Sequence, residues 1–294
     1  MVKKLIPMAI CYDFDGTLAP GNMQEYDFIP ALKMTSGEFW NKVNALSEEQ
    51  EADGILAYMQ QMLEKANAMH ISVHREDFFD YGKNILFYDG VLEWFQRISA
   101  YGKEQGVSIE HYIISSGIRE MILGTPIAKE FKKIYASSFM YDHNGVAHWP
   151  ALAINYTTKT QYLFRINKGS LDTHDNSVIN RYIPQKDRAI PFEQIVFVGD
   201  GDTDVPCMRL VRDQGGHSVA VYRKGSKNAK TRVQRLVEEG RATVALPADY
   251  REFSPMDLLM KHIVKKIAAD NALKQLITDY ALSIDTSKRD IPTE

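Results

Sequence analysis

The stretch Ile10-Cys11-Tyr12-Asp13-Phe14-Asp15-Gly16-Thr17-Leu18 decides how the rest of the chain is read. An apolar run, Leu5-Ile6-Pro7-Met8-Ala9-Ile10, leads into two acids that stand two residues apart. Such a run reads as a core strand, and residues i and i+2 at a strand end project to the same side. Both carboxylates can therefore face one point. Alone, they fit a solvated turn, the edge of a metal site or a catalytic pair. A bare Asp-x-Asp-x-Thr match is weak because these residues are common. A calcium loop does not fit, since Gly16 is fourth instead of sixth and the twelfth position is Gln24.

The chain has 294 residues, of which 45% are hydrophobic and 25% charged, with a formal net charge of −3. That is the profile of a globular chain with room for one large domain or two ordinary ones. With no global basic field, neither nucleic acid nor a membrane surface is an expected partner. Two cysteines, Cys11 and Cys207, are too few for a disulfide framework, and neither lies in a Cys-x-x-Cys pair that would suggest zinc. The start Met1-Val2-Lys3-Lys4 faintly imitates a secretory signal, but the apolar stretch after it runs into Asp13 and Asp15 without a small-residue cleavage site. No run approaches the ~18 apolar residues of a membrane span. The expected location is cytoplasmic.

Outward from the first strand, apolar β-type runs recur at 110–114, 194–198, 218–222 and 242–246, most followed by a helical pattern. Short apolar strands alternating with helices indicate an α/β fold, a parallel sheet covered on both faces. Residues 20–84 interrupt this alternation and read as helical. Thr35-Ser36-Gly37-Glu38 is a capping box, followed by Phe39, Trp40, Val43 and Leu46 at helical spacing. Ser47-Glu48-Glu49-Gln50 reads as a second box, opening a helix with Ile55, Met59, Met62, Leu63, Ala66 and Met69 on one stripe. A third helix holds Asp77, Phe78, Phe79 and Tyr81. Residues 139–156 suggest a hairpin around His143-Asn144-Gly145, and 167–188 a polar, irregular insertion.

Two further strand ends carry chemistry. Gly199-Asp200-Gly201-Asp202-Thr203-Asp204 follows Ile195-Val196-Phe197-Val198. A calcium loop fails here too, with Val205 at the sixth position and Val211 at the twelfth. A solvated acidic turn is the alternative. Two acidic strand ends in one parallel sheet suit a hard divalent cation completed by water and phosphate. Ser115-Ser116-Gly117 follows Tyr112-Ile113-Ile114 and precedes a helical pattern, which fits either an ordinary N-cap or a phosphate-binding helix start. Two lysines compete as the cation. Thr158-Lys159-Thr160-Gln161 is a capping box that puts Lys159 in a first turn, whereas Lys168-Gly169 resembles a helix end, where a lysine complements the dipole. A first-turn lysine needs another reason, which favours Lys159.

In this order the motifs resemble those of the haloacid dehalogenase superfamily of phosphatases: Asp13–Thr17, Ser115, Lys159 and Asp200–Asp204, spanning nearly the whole chain. The helical insertion resembles the C1 cap of phosphoserine-phosphatase-like members, and Phe87-Tyr88-Asp89-Gly90-Val91-Leu92-Glu93 resembles the return to the core. The resemblance implies a Rossmann-like three-layer α/β/α core of residues 1–19 and 85–294, with a cap of residues 20–84. It implies Mg²⁺ held by Asp13, the Asp15 backbone carbonyl and Asp200, with Asp204 orienting that set. Asp13 would be the nucleophile of an aspartyl-phosphate mechanism, and Asp15 the acid and then the base. Ser115, Ser116, Gly117 and Lys159 would bind phosphate. The long polar stretch after Lys159 departs from the pattern and keeps Lys168 as the alternative.

By the same resemblance, dehalogenases and P-type ATPases lack an acid at the position of Asp15. The expected activity is hydrolysis of a small phosphorylated metabolite, with phosphotransfer or mutase chemistry as the alternative. A phosphoacceptor signalling module fits less well, being smaller and having no helical insertion. Arg223-Lys224 with Lys227, Lys230, Arg232 and Arg235 reads as the solvated face of a surface helix. Arg119 could reach a substrate carboxylate or sit on a helix face.

Overall fold

The computed structural model describes residues 5–287, so Met1–Lys4 and residues 288–294 of the expected core lie outside the described residues. The strands are β1 (Ile6–Tyr12), β2 (Val107–Ile118), β3 (Lys133–Tyr141), β4 (Ala147–Leu152), β5 (Ile195–Gly199), β6 (His217–Tyr222) and β7 (Val244–Pro247). They form one sheet in the order β4-β3-β2-β1-β5-β6-β7. Every neighbouring pair is parallel except the β3–β4 hairpin. Pro7 sits ahead of the part of β1 that pairs on both sides, which begins at Ala9, so its missing N–H is tolerated.

Alternation along β1 explains the layers. Met8, Ile10 and Tyr12 join one apolar cluster, with Trp94, Phe95 and Ile98 of α5 (Val91–Glu104). Met260 and Val264 of α10 (Pro255–Ser287) complete that side. Ala9 and Cys11 join the opposite cluster, with Tyr162 and Ile166 of α7 (Tyr156–Lys168) and Cys207 and Val211 of α8 (Val205–Asp213). A strand buried on both faces reads as a continuous apolar run for this reason. The result is the expected three-layer α/β/α, Rossmann-like architecture, completed by α6 (Arg119–Leu123) and α9 (Lys227–Glu238).

Residues 20–84 hold α1 (Phe28–Ala31), α2 (Ser36–Glu49), α3 (Gly54–Ala68) and α4 (Arg75–Gly82). Fully buried Phe39, Met59, Met62 and Phe78 anchor this segment, each contributing roughly 1.5–3 kcal/mol of burial. It leans on the β3–β4 hairpin: Phe78 stacks on Phe139 at 5.4 Å, and the Ala147 N–H donates to the Val73 carbonyl at 2.9 Å.

The structure corrects four local expectations. Ser47 opens no helix. The Val43 and Leu46 stripe carries α2 through to Glu49, and Ser47 Oγ donates to the Ala52 carbonyl. Asp53 is the real N-cap of α3, accepting from the Ile55 and Leu56 N–H groups at 2.9 and 3.1 Å. The cap of α7 is Asn155, not Thr158. Thr158 is the third helical residue, and its Oγ1 accepts from the Asn155 N–H at 2.7 Å. Ser115–Gly117 do not start a helix: β2 continues to Ile118 through a register shift between Ser115 and Ile118. Finally, α7 runs to Lys168, so the irregular insertion starts only at Gly169.

One buried polar chain makes the core pH-sensitive. The Trp94 indole donates to Tyr12 Oη at 2.8 Å, so the Tyr12 hydroxyl can give its own proton to His111 Nδ1 at 3.2 Å. His111 Nε2 then carries the hydrogen toward Ser99 Oγ at 2.9 Å. Burial pushes the His111 imidazole down to about 3. Its neutral form is thus the folded form. The resulting stability is complete above the ordinary histidine value of 6.5 and is lost as pH falls from there toward 3, by about 1.4 kcal/mol per pH unit. Urea unfolding between pH 4 and 6 should show a slope of stability against pH shallower by about that amount in His111→Gln than in the parent chain. Equal slopes would contradict the assignment.

Candidate active site

The Asp13 N–H donates to the Val198 carbonyl at 2.9 Å, continuing the β1–β5 ladder to the carboxyl ends of both strands. The chain then folds back sharply, and the Phe14 carbonyl accepts the N–H groups of Thr17, Leu18 and Ala19. Gly16 is required there. Its φ is +73°, and a Cβ would fall 2.2 Å from Asp200 Oδ2. This turn aims Asp13 and Asp15 into a cavity of about 470 Å³, which Ser115, Ser116, Gly117, Asp200 and Thr203 also line. In an open α/β sheet this is the crevice where strand order reverses, here between β1 and its neighbours β2 and β5.

Lys159 is fully buried. Its Nζ lies 3.2 Å from Asp13 Oδ1 and donates to Asp204 Oδ1 at 2.7 Å and Thr203 Oγ1 at 3.3 Å. Burial alone would depress the ammonium, but Asp13 and Asp204 together hold its pKa above normal. Lys168 is elsewhere, donating to the Ile179 and Arg181 carbonyls at 2.6 and 2.9 Å and so closing the insertion, with Gly169 as a left-handed C-cap. Of the two lysines, Lys159 is the one beside Asp13.

The two acids of the opening motif have different partners. Asp13 Oδ1 is buried and, apart from the Lys159 ion pair, has no hydrogen-bond partner among the described residues. Asp15 Oδ1 accepts the Met23 N–H at 2.8 Å. Burial first, and the Asp13 charge second, push the Asp15 carboxyl well above the usual carboxylate range. Asp15 is set up to hold a proton.

Asp204 uses both of its oxygens within the protein. Oδ1 faces Lys159, and Oδ2 accepts the N–H groups of Asp200 and Gly201 at 3.1 and 3.2 Å. It therefore shapes the loop that carries Asp200. Asp200 faces the cavity with Arg232 at 3.7 Å, yet burial followed by Asp204 and Asp13 still raises its carboxyl to about 8. Asp13, Asp200 and Asp204 each bring an oxygen within 4.8 Å of the others. The Asp13 oxygen that meets only the Lys159 ion pair, and the crowding of acids around one lysine, suit a hard divalent cation such as Mg²⁺. Asp13 and Asp200 would be its side-chain ligands.

Ser115, Ser116 and Gly117 form the bulged end of β2. The Gly117 N–H donates to Ser115 Oγ at 3.1 Å, Ser116 Oγ is unpartnered, and the Ser116 carbonyl accepts the Tyr58 hydroxyl at 2.6 Å. Arg119 does not reach the cavity. It pairs with Glu120 at 3.0 Å and lines a separate cleft. Cys11 and Cys207 are buried free thiols. Sequence reasoning missed Gln24, Trp40, Tyr58 and Tyr88, and it read Arg223 and Arg232 as a solvated face, yet all six line the cavity. The available signal was that Arg223 directly follows β6, the strand beside β5.

The family model for haloacid dehalogenase-like hydrolases matches residues 10–209. A protein of Borreliella burgdorferi, itself described as uncharacterized, is 30% identical over 272 residues, which is 83% of this chain and 91% of that protein. Three solved structures share the fold. One is a HAD family hydrolase from Salmonella enterica serovar Typhi (TM-score 0.57, 16% identity, 88% of this chain and 72% of that one). Another is a probable phosphoserine phosphatase from Vibrio cholerae (0.54, 14%, 92% and 69%). The third is a phosphoserine phosphatase solved as a phospho-aspartyl intermediate analogue (0.51, 14%, 87% and 99%).

Replacing the ammonium by a neutral chain of similar length would leave Asp13 and Asp204 facing each other in the interior. Lys159→Met should lose about 3–5 kcal/mol in metal-free urea unfolding at neutral pH. A loss below about 1 kcal/mol would mean that the lysine does not hold these acids together.

Proposed function

Because the chain belongs to the haloacid dehalogenase-like hydrolases, we propose that it is a Mg²⁺-dependent phosphatase that hydrolyses a small phosphomonoester through an aspartyl-phosphate on Asp13. The observation that carries this reading is the pair Asp13 and Asp15 on one cavity, the first ion-paired with Lys159, the second held by the Met23 N–H. One carboxylate is equipped to attack and the other to manage a proton.

In the first half-reaction an Asp13 carboxylate oxygen attacks phosphorus as the ester P–O bond breaks, and the departing alkoxide takes the proton from Asp15. In the second, the Asp15 carboxylate removes a proton from water, whose oxygen attacks phosphorus while the bond to Asp13 breaks. Phosphate leaves, Asp13 is a carboxylate again, and Asp15 is again protonated. Ser115 Oγ, Ser116 Oγ and nearby backbone N–H groups would bind the equatorial oxygens, with Lys159 adding positive charge behind Asp13. When bound at Asp13, the Asp15 carbonyl and Asp200, Mg²⁺ supplies the charge that lets one anion approach another and stabilises a loose transition state. Asp204 would keep Asp200 in place.

Residues 20–84 would act as a cap domain over a core of 1–19 and 85–294, excluding bulk water and contacting the leaving group. The Tyr58 hydroxyl on the Ser116 carbonyl supports that placement.

Phosphate release from an aryl phosphate tests the reading. Asp13→Asn should reduce turnover to background, and Asp15→Asn should lower kcat by about 10²–10⁴-fold. Chelation should abolish activity and added Mg²⁺ restore it. Full activity of either variant would overturn the assignment.

A further inference from the structure

Away from its acids and serines, the cavity is lined by a different chemistry. From residues 20–84 it receives Trp40, Ile55 and Tyr58 together with the amides of Asn22, Gln24 and Asn44, and no charged group. Positive charge comes from the opposite side, from Arg223 just after β6 and Arg232 on α9. Arg232 is engaged with Asp200, both at the carboxylate and through a hydrogen bond to its carbonyl at 3.1 Å. Arg223 has no such engagement: among the described residues no side chain pairs with its guanidinium. Arg223 is exposed, and Tyr88 and Tyr222 line the same cavity.

A second observation points into the same space. Gln24 is only 2% exposed, lines the cavity, and its amide oxygen has no partner. A buried polar atom left unpaired costs about 1–3 kcal/mol, a cost that a ligand donor would remove. An aromatic wall and a guanidinium with no side-chain partner together describe the complement of a molecule larger than phosphate and acidic at its far end.

We infer that the substrate is a phosphomonoester whose leaving group carries a second acidic group, bound by Arg223, on a short frame that lies against Trp40 and Tyr58. The inference rests on the phosphatase reading only in calling that frame a leaving group. A carboxylate and a second phosphoryl group share the required chemistry, since a guanidinium takes either through paired N–H donors. Arg223 is a specificity-determining residue in this account and takes no part in the chemistry at phosphorus.

Non-hydrolysable phosphonates separate the binding claim from catalysis. Phenylphosphonate, its 3- and 4-carboxy derivatives and a phenylene bisphosphonate would be titrated calorimetrically with Mg²⁺ into the parent chain, Arg223→Met and Arg223→Lys. The parent should bind at least one doubly acidic probe about 10-fold or more tighter than phenylphosphonate, as one charge-assisted pair provides. Arg223→Met should abolish that preference without changing affinity for phenylphosphonate, and Arg223→Lys should keep part of it. Whether the carboxylates or the bisphosphonate bind tighter identifies the second group. No preference in the parent, a preference that survives Arg223→Met, or equal weakening of every probe would overturn the inference. Discrimination among the phosphonates without phosphate release from the matching esters would overturn only the phosphatase reading, and no binding of any probe would overturn both.

Discussion

A lysine ammonium with no exposed surface stands between Asp13 and Asp204, and the site is organised around it. Removing such a group from water costs several kcal/mol unless acids compensate it. Meeting that condition brings three elements together: the end of β1, the first turns of α7 and the loop after β5. Asp204 answers Lys159 with one oxygen and fixes the Asp200 loop with the other. The same cation therefore orders the Asp13 carboxylate and the loop that faces it. The acids still outnumber it, and the excess negative charge is what a divalent cation would balance.

The topology makes this convergence possible. Parallel strands deliver their carboxyl ends to one edge, so residues far apart in sequence arrive side by side without long loops. The 20–84 segment is fastened to the same edge. Asp53, which caps α3, accepts a hydrogen bond from the side chain of Asn155, which caps α7, the helix that carries Lys159. Tyr58 reaches the bulge at Ser116, and α4 rests on the β3–β4 hairpin. Among the described residues no helix is long and apolar enough to cross a membrane.

Much of the fold was legible because burial on both faces leaves a plain mark. The five apolar runs are β1, β2, β5, β6 and β7, and the Asn-Gly turn does separate β3 from β4. Local capping patterns were less dependable. Ser47 has the residues of a capping box, yet Leu46 extends the buried stripe of α2, and packing prevails over a local side-chain bond. At Ser115–Gly117 no residue announces the bulge, which arises from pairing with β3. For the site, Asp13 and Asp15 could be read from one short stretch, because their relation is local. The choice of Lys159 over Lys168 could be argued from helix ends, but its contact with Asp204 could not. Arg223 was hidden for a different reason. It begins a basic run that reads as the solvated face of α9, and only the position of β6 in the sheet brings Arg223, and with it Arg232, to the cavity.

The central claim is that Asp13 becomes covalently phosphorylated during turnover. Rapid acid quench of the chain with a phosphomonoester and Mg²⁺, followed by borohydride reduction and peptide mass spectrometry, reads this directly. An acyl phosphate on Asp13 would be reduced to homoserine at that position alone, with Asp15 unchanged. Phosphate release that proceeds without any modified Asp13, or with the modification at another carboxylate, would contradict the account.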